Sequence, residues 1–325
     1  MQKERATMVD MYRTNEAMFS DFDSNPHDVV ERVSKHYDMH PTFVRQYINH
    51  LKESQRNNPR AWAGFESEVG AYSRTRAMIS RVESQNGLSF RGARVLDIGC
   101  GSGHAIRAMT AIGATAVGLE LNPHRAENGN ASLALHGIAP SIATGSVLDP
   151  EAVGRLGKFD IVTLFDVLEH VPSITETIAV ARGLLHSNGI IVIKSGNPYH
   201  WEFMLREPHY NAPGMTLLST ATATEYHAAL FQGEYEVFEW LSRPEIEAIL
   251  NKTGFDVDPD HDEIDSSIEQ FESALVQLEA EGYPTKSIGD QVRHAVKFLR
   301  TMRSVSADAE RMFCVMNYTI IAYAR

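Results

Sequence analysis

The segment Val95-Leu96-Asp97-Ile98-Gly99-Cys100-Gly101-Ser102-Gly103 constrains this chain more than any other. A mostly apolar run reads as a buried strand. It enters three glycines at alternate positions, and a helical pattern then begins at His104. Glycine permits the sharp bend and lets backbone approach a ligand, while N–H groups opening a helix favour an anion or carboxylate. Further β-like runs follow at Thr115–Leu119, Ser141–Thr144, Phe159–Phe165 and Gly189–Lys194, separated by helical stretches. That alternation predicts βαβ units and a mainly parallel α/β sheet of Rossmann-like form. A dinucleotide fingerprint, G-x-G-x-x-G, needs its third glycine at position 104, where His104 stands.

The spacing G-x-G-x-G, with Asp97 two residues before the first glycine, resembles that of class I S-adenosylmethionine (SAM)-dependent methyltransferases. Further motifs join it. Glu120 ends the second β-like run. Thr144-Gly145-Ser146-Val147-Leu148-Asp149 is similar to the family's third-strand turn, with Ser146 in the place of an acidic residue. Phe165-Asp166-Val167-Leu168-Glu169-His170-Val171 resembles the fourth-strand turn. Leu184-Leu185-His186-Ser187-Asn188-Gly189 matches the L-L-x-x-G-G turn, with Asn188 for the first glycine. Asn tolerates the left-handed conformation, so that departure is mild.

The resemblance implies a sheet whose last strand is antiparallel, and SAM as cofactor. It assigns the methionine moiety to Asp97, Gly99, Cys100, Gly101 and Gly103, flanked by Phe165 and Asp166. Glu120 takes the ribose hydroxyls, with Leu121 beside it; Ser146, Val147 and Asp149 lie near the adenine. Asp149 also suits a helix N-cap before Pro150.

Two helical regions flank the core pattern. Residues 1–88 carry apolar stripes at helical spacing: Val29, Val30, Val33 and Tyr37; then Phe43, Val44, Tyr47, Ile48 and Leu51; then Trp62, Phe65, Val69, Tyr72 and Ile79. Residues 262–310 hold Ile268, Phe271, Leu275 and Leu278, then Ile288, Val292, Val296, Leu299 and Met302. The expected organisation is a helical cap over 1–88, a core over 89–261, a helical insertion over 262–310 and a final strand over 311–325. Ser242, Pro244 and Glu245 form a capping-box pattern. The acidic stretch Asp256–Asp265 reads as a solvated loop.

The acceptor side is less determined. His209, in Glu207-Pro208-His209-Tyr210, is the first candidate for a general base, and His170 is the second; His200, Tyr210 and His227 follow. Asp166, Glu169 and His170 resemble an E-x-x-E-H constellation that suits a divalent metal, an alternative to a structural turn. The segment from Asn197 to Leu218 resembles a stretch of bacterial methyltransferases associated with saccharide pathways. The reading is methyl transfer to a hydroxyl of a small molecule or saccharide. The alternatives are an RNA methyltransferase and a non-catalytic regulatory subunit of the same fold.

Composition enters where it excludes. Asp plus Glu is 42 against 30 for Lys plus Arg, and a net charge of −12 argues against a surface built for nucleic acid. Two cysteines make no disulfide framework. No apolar run approaches the roughly 20 residues of a membrane span, and no secretory pattern stands at the start. The expectation is a cytoplasmic protein, with homo-oligomerisation left open.

Overall fold

The computed structural model describes residues 15–54, 61–259, 262–280, 294 and 307–325. Its strands are β1 (Arg94–Ile98), β2 (Thr115–Glu120), β3 (Ile142–Thr144), β4 (Phe159–Phe165), β5 (Leu185–Gly196), β6 (Phe255–Val257) and β7 (Asn317–Ala324). They form a seven-stranded sheet in the order β3-β2-β1-β4-β5-β7-β6. The pairs β1–β2, β2–β3 and β4–β5 are parallel, while β7 runs antiparallel to both β5 and β6. The expected α/β sheet with an antiparallel last strand is therefore present. The chain divides into two compact units, Met1–Ala152 and Val153–Arg325.

The first unit begins with helices α1 (Asn15–Ser24), α2 (Pro26–Tyr37), α3 (Pro41–Ser54) and α4 (Ala61–Asn86). The first two expected stripes supply their buried faces: Val29, Val30, Val33 and Tyr37 on α2, and Val44, Ile48 and Leu51 on α3. Tyr72 and Ile79 of the third stripe are buried on α4. The side chains of Trp62, Phe65 and Val69 lie outside the described residues. Asp38 ends α2 in the left-handed conformation, and Pro41 opens α3.

These helices are tied to α5 (His104–Ala111) through Arg107. Its guanidinium donates to the Asp38 carbonyl at 2.5 Å and sits 3.7 Å from the centre of the Tyr72 ring. A largely buried cation held by a carbonyl and an aromatic face couples these helices to the first crossover helix. On β1, Val95, Leu96, Asp97 and Ile98 are all buried, as a strand covered on both faces requires.

In the second unit, α8 (Ile174–Leu184) connects β4 to β5, and α10 (Thr220–Leu230) and α11 (Arg243–Lys252) precede β6. The expected capping box opens α11, with Ser242 and Glu245 bonded reciprocally. Arg243 pairs with Asp262 at 2.8 Å, both buried, and Asp262 accepts the Thr319 N–H at 3.0 Å. Part of the acidic stretch is thus not solvated: Asp262 is drawn inside because a buried guanidinium and a strand N–H need an acceptor. Helix α12 (Ile268–Ala280) contributes Phe271 and Leu275 to a cluster with Trp201, Met204 and Leu205 of α9 (Trp201–Leu205). The stripe from Ile288 to Met302 lies outside the described residues, as does the start of the chain.

Candidate functional site

The first unit carries the glycine loop. Gly101 has φ +51° and Gly103 φ +77°, conformations that an L side chain rarely adopts. The loop is shaped by its neighbours. Glu120, buried at the end of β2, accepts the Gly101 N–H at 2.8 Å and the Asn122 N–H at 2.9 Å. The carboxylate expected to meet a ribose therefore also braces the loop.

Two glycines outside the motif make room. A Cβ at Gly129, on α6 (Pro123–Leu135), would lie 3.1 Å from the Gly101 carbonyl oxygen and 2.6 Å from the Ile142 side chain. A Cβ at Gly118 would meet the Cys100 side chain. The motif alone does not signal either position; both depend on which helix and strand lie against the loop.

The other expected cofactor residues in this unit divide by exposure. Asp97 is buried on β1, and Cys100 is buried with its thiol pushed up by burial and by the charges of Asp97 and Glu120. Such a thiol is inert rather than nucleophilic. Leu121 is 70% exposed, an apolar surface with no protein neighbour covering most of it. Ser146 Oγ accepts the Leu148 N–H at 3.1 Å, and Val147 is buried. Asp149 accepts the Glu151 N–H at 2.9 Å, so it caps α7 (Pro150–Gly154).

The second unit carries the titratable cluster. Phe165 ends β4, and Asp166 follows with φ +56°. This unusual backbone is held from two sides: the Asp166 N–H donates to the Lys194 carbonyl at 2.9 Å, and its carboxylate pairs with the Lys194 ammonium. Glu169 and His170 lie on the short turn Leu168–His170. His170 Nδ1 lies 2.9 Å from the Glu236 carbonyl oxygen. A carbonyl only accepts, so Nδ1 carries the proton.

His209 reaches the same place from the loop after β5. Its Nδ1 is 2.6 Å from Glu207 Oε1, and its ring meets His170 edge-on with centroids 4.8 Å apart. Trp240 packs on it at 5.6 Å. Glu169, His170 and His209 each offer one donor atom, all within 4.8 Å of one another. Asp166, the third residue of the alternative metal reading, is not a member of this group; its carboxylate pairs with the Lys194 ammonium.

The electrostatics of the group favour holding a proton. Burial pushes the Glu169 carboxyl up to about 7, with the nearby Asp166 charge adding to the effect. One Glu169 oxygen, Oε2, is buried without a hydrogen-bond partner. Burial works against charge on His209 too, but the hydrogen bond and charge of Glu207, with Glu169 and Asp166 behind them, outweigh it and raise the imidazole above its ordinary value.

The two other candidate histidines have structural work. His200 is fully buried, and burial holds it down near 4. Its Nδ1 accepts the Glu202 N–H that starts α9, and its Nε2 contacts Ser266 Oγ at 2.9 Å. His227 is packed against Tyr210, Phe231 and Tyr235. Glu207, Glu236, Lys194 and Trp240 received no role from the sequence; only for Glu207 was there a signal, its place two residues before His209.

A family model described as "Methyltransferase domain" matches residues 71–259. The ubiquinone biosynthesis O-methyltransferase of Xanthomonas oryzae pv. oryzae (strain PXO99A) is 33% identical over 113 residues, 34% of this chain and 46% of that protein. Its namesake from Xanthomonas euvesicatoria pv. vesicatoria (strain 85-10) is 28% identical over 172 residues, 53% of this chain and 66% of that protein. The chain thus spans about half the length of the first of these curated relatives. Among solved structures, a SAM-dependent methyltransferase from Archaeoglobus fulgidus aligns with a TM-score of 0.48 at 17% identity, over 81% of this chain and 99% of that one.

Proposed function

This chain belongs to the methyltransferase-domain family of class I SAM-dependent enzymes, and on that premise we propose that it methylates a hydroxyl group of a small molecule. When bound, SAM supplies an electrophilic methyl carbon on a positively charged sulfur. The residues of the first unit that would hold it are Asp97 and the Gly99–Gly103 loop at the methionine end. Glu120 would bind the ribose hydroxyls, and Leu121, Ser146, Val147 and Asp149 would line the adenine.

What carries the hydroxyl reading is His209. With Nδ1 donating to Glu207, its Nε2 is the lone-pair nitrogen and can take a proton from an acceptor oxygen. A base is of most use to a hydroxyl, because an amine that is already neutral is nucleophilic without one. The names of the curated relatives, O-methyltransferases of ubiquinone biosynthesis, agree with oxygen as the acceptor atom. Saccharide and phenolic hydroxyls both satisfy this chemistry.

The test is a panel of phenols, catechols, saccharides and matched amines, read by S-adenosylhomocysteine release and by the methyl proton shift of the product. The expected product carries an O-methyl group, and turnover rises with pH as His209 loses its proton. An N-methyl product, or release that ignores the acceptor, would overturn the reading.

A further inference from the structure

We propose that Glu207 is a positioning residue for methyl transfer: it fixes His209 in the tautomer with Nδ1 protonated and aims Nε2 at the acceptor. The proposal rests on the reading of His209 as the base.

Glu207 is 1% exposed, and its carboxylate accepts from three groups within the next three residues. Oε2 accepts the His209 N–H at 2.9 Å and the Tyr210 N–H at 2.5 Å. Oε1 takes the His209 Nδ1 at 2.6 Å. One carboxylate oxygen is thus spent on the backbone and the other on the ring. The backbone bonds hold the carboxylate plane, and the carboxylate plane holds the imidazole.

The surrounding chain is closed in the same way. Pro208 has no N–H and a fixed φ, so the donors come from residues 209 and 210. The Asn211 N–H donates to the Glu207 carbonyl at 2.7 Å, and Asn211 adopts φ +58°. The Glu207 N–H in turn donates to the Ala212 carbonyl at 3.3 Å. Trp240 and His170 limit ring rotation from the sides. A carboxylate in this place does two things for a base. It selects the tautomer, and it stabilises the imidazolium that forms when the acceptor proton arrives.

A carboxylate that only closed the turn would need the backbone bonds alone, and the amide variant separates the two roles. In Glu207→Gln the side-chain oxygen still accepts the two backbone N–H groups. Its NH₂ would face Nδ1 and force the proton onto Nε2. Replacing the acid by an amide behind a catalytic histidine costs roughly 10⁴ in kcat where the arrangement has been dissected.

The experiment measures kcat, acceptor KM and SAM Kd in wild type, Glu207→Gln, Glu207→Asp, His209→Ala and the Glu207→Gln/His209→Ala double variant, and the His209 ring-nitrogen resonances in those that keep the imidazole. We expect Glu207→Gln to lower kcat by roughly 10²–10⁴, the range of general-base help, with KM and Kd changed less than about threefold. The His209 nitrogen signals should switch to the Nε2–H form. Glu207→Asp should recover part of the rate, and the double variant with His209→Ala should be no slower than His209→Ala alone.

An unchanged tautomer in a folded Glu207→Gln protein overturns the proposal. So does a switched tautomer with kcat near normal, provided wild type transfers methyl to oxygen. If wild type transfers none, the reading of the function fails, and the nitrogen spectra still decide whether Glu207 sets the tautomer. If Glu207→Gln weakens stoichiometric Zn²⁺ or Mn²⁺ binding instead of switching the tautomer, His209 is a ligand and the proposal falls.

Discussion

In the glycine loop of the first unit, shape comes from side chains that are absent. In the loop after β5 of the second unit, it comes from side chains that converge. Gly101 and Gly103 take positive φ, and Gly118 and Gly129 leave room for Cys100 and for the Gly101 carbonyl. Glu120, whose carboxylate braces this loop, stands at the end of the neighbouring strand. The second region gathers Glu169 and His170 from a turn after β4, Glu207 and His209 from beyond β5, and the Glu236 carbonyl and Trp240 from further on. The first arrangement tolerates few substitutions and leaves a pattern in sequence. The second is a constellation, and its members are recognised only when the fold brings them together.

The largest expected effect tests the glycine side. Gly101→Val places a β-branched residue at φ +51°. Its Cβ would also stand 3.1 Å from the Arg125 guanidinium. SAM affinity should fall by more than about 100-fold, a loss above roughly 2.7 kcal/mol, while far-UV circular dichroism stays native. Unchanged affinity by calorimetry would remove the loop as the donor site and erase the contrast between the two regions.

Glu120→Ala is expected to be next. Two charge-assisted bonds to ribose hydroxyls are worth on the order of 2–3 kcal/mol, so affinity should drop roughly 30- to 150-fold. The geometry sharpens this. Because Glu120 also accepts the Gly101 and Asn122 N–H groups, adenosine should weaken along with SAM, and amide exchange at Gly101 should speed up. A loss confined to exchange, with SAM affinity changed less than threefold, would make Glu120 a brace and not a ligand.

The fold was largely readable because the glycine loop, the alternation and the capping box at Ser242 are local patterns. The helical stripes were readable for the same reason: Val29, Val33, Ile48 and Phe271 are buried where their spacing puts them. The expected cofactor residues came from a family resemblance that follows chain order. The acceptor side came through only in part. His209 stood out by composition, but its partner Glu207 is defined by a turn geometry that a run of four residues does not specify. The spacing makes Asp166 a candidate ligand beside Glu169 and His170 but gives no sign of Lys194, which β4–β5 register sets opposite Phe165 and which pairs with the Asp166 carboxylate. Asp262, inside a stretch that reads as solvated, is buried because Arg243 is.

The smallest effect concerns stability and separates the two regions by pH. Glu169 is buried, one of its oxygens is unpartnered, and its carboxyl is raised from 4.5 to about 7. Its folded value exceeds its unfolded value, so the folded state binds the proton more tightly. Protonated Glu169 therefore costs the fold nothing extra below about 4.5. As pH rises from there to about 7 the unfolded chain sheds its proton first, and stability falls; above that the deficit is constant. Glu169→Gln copies the protonated form. It should match wild type near pH 4.5 and exceed it at pH 8, with a melting temperature higher by several degrees. Calorimetric scans at the two pH values check this. An equal gain at both would point to packing and not to the proton. A loss at pH 8 that added Mn²⁺ reverses would mean that the Glu169 carboxylate is held charged by a cation, and the converging side chains would then be a metal centre and not a proton-holding group.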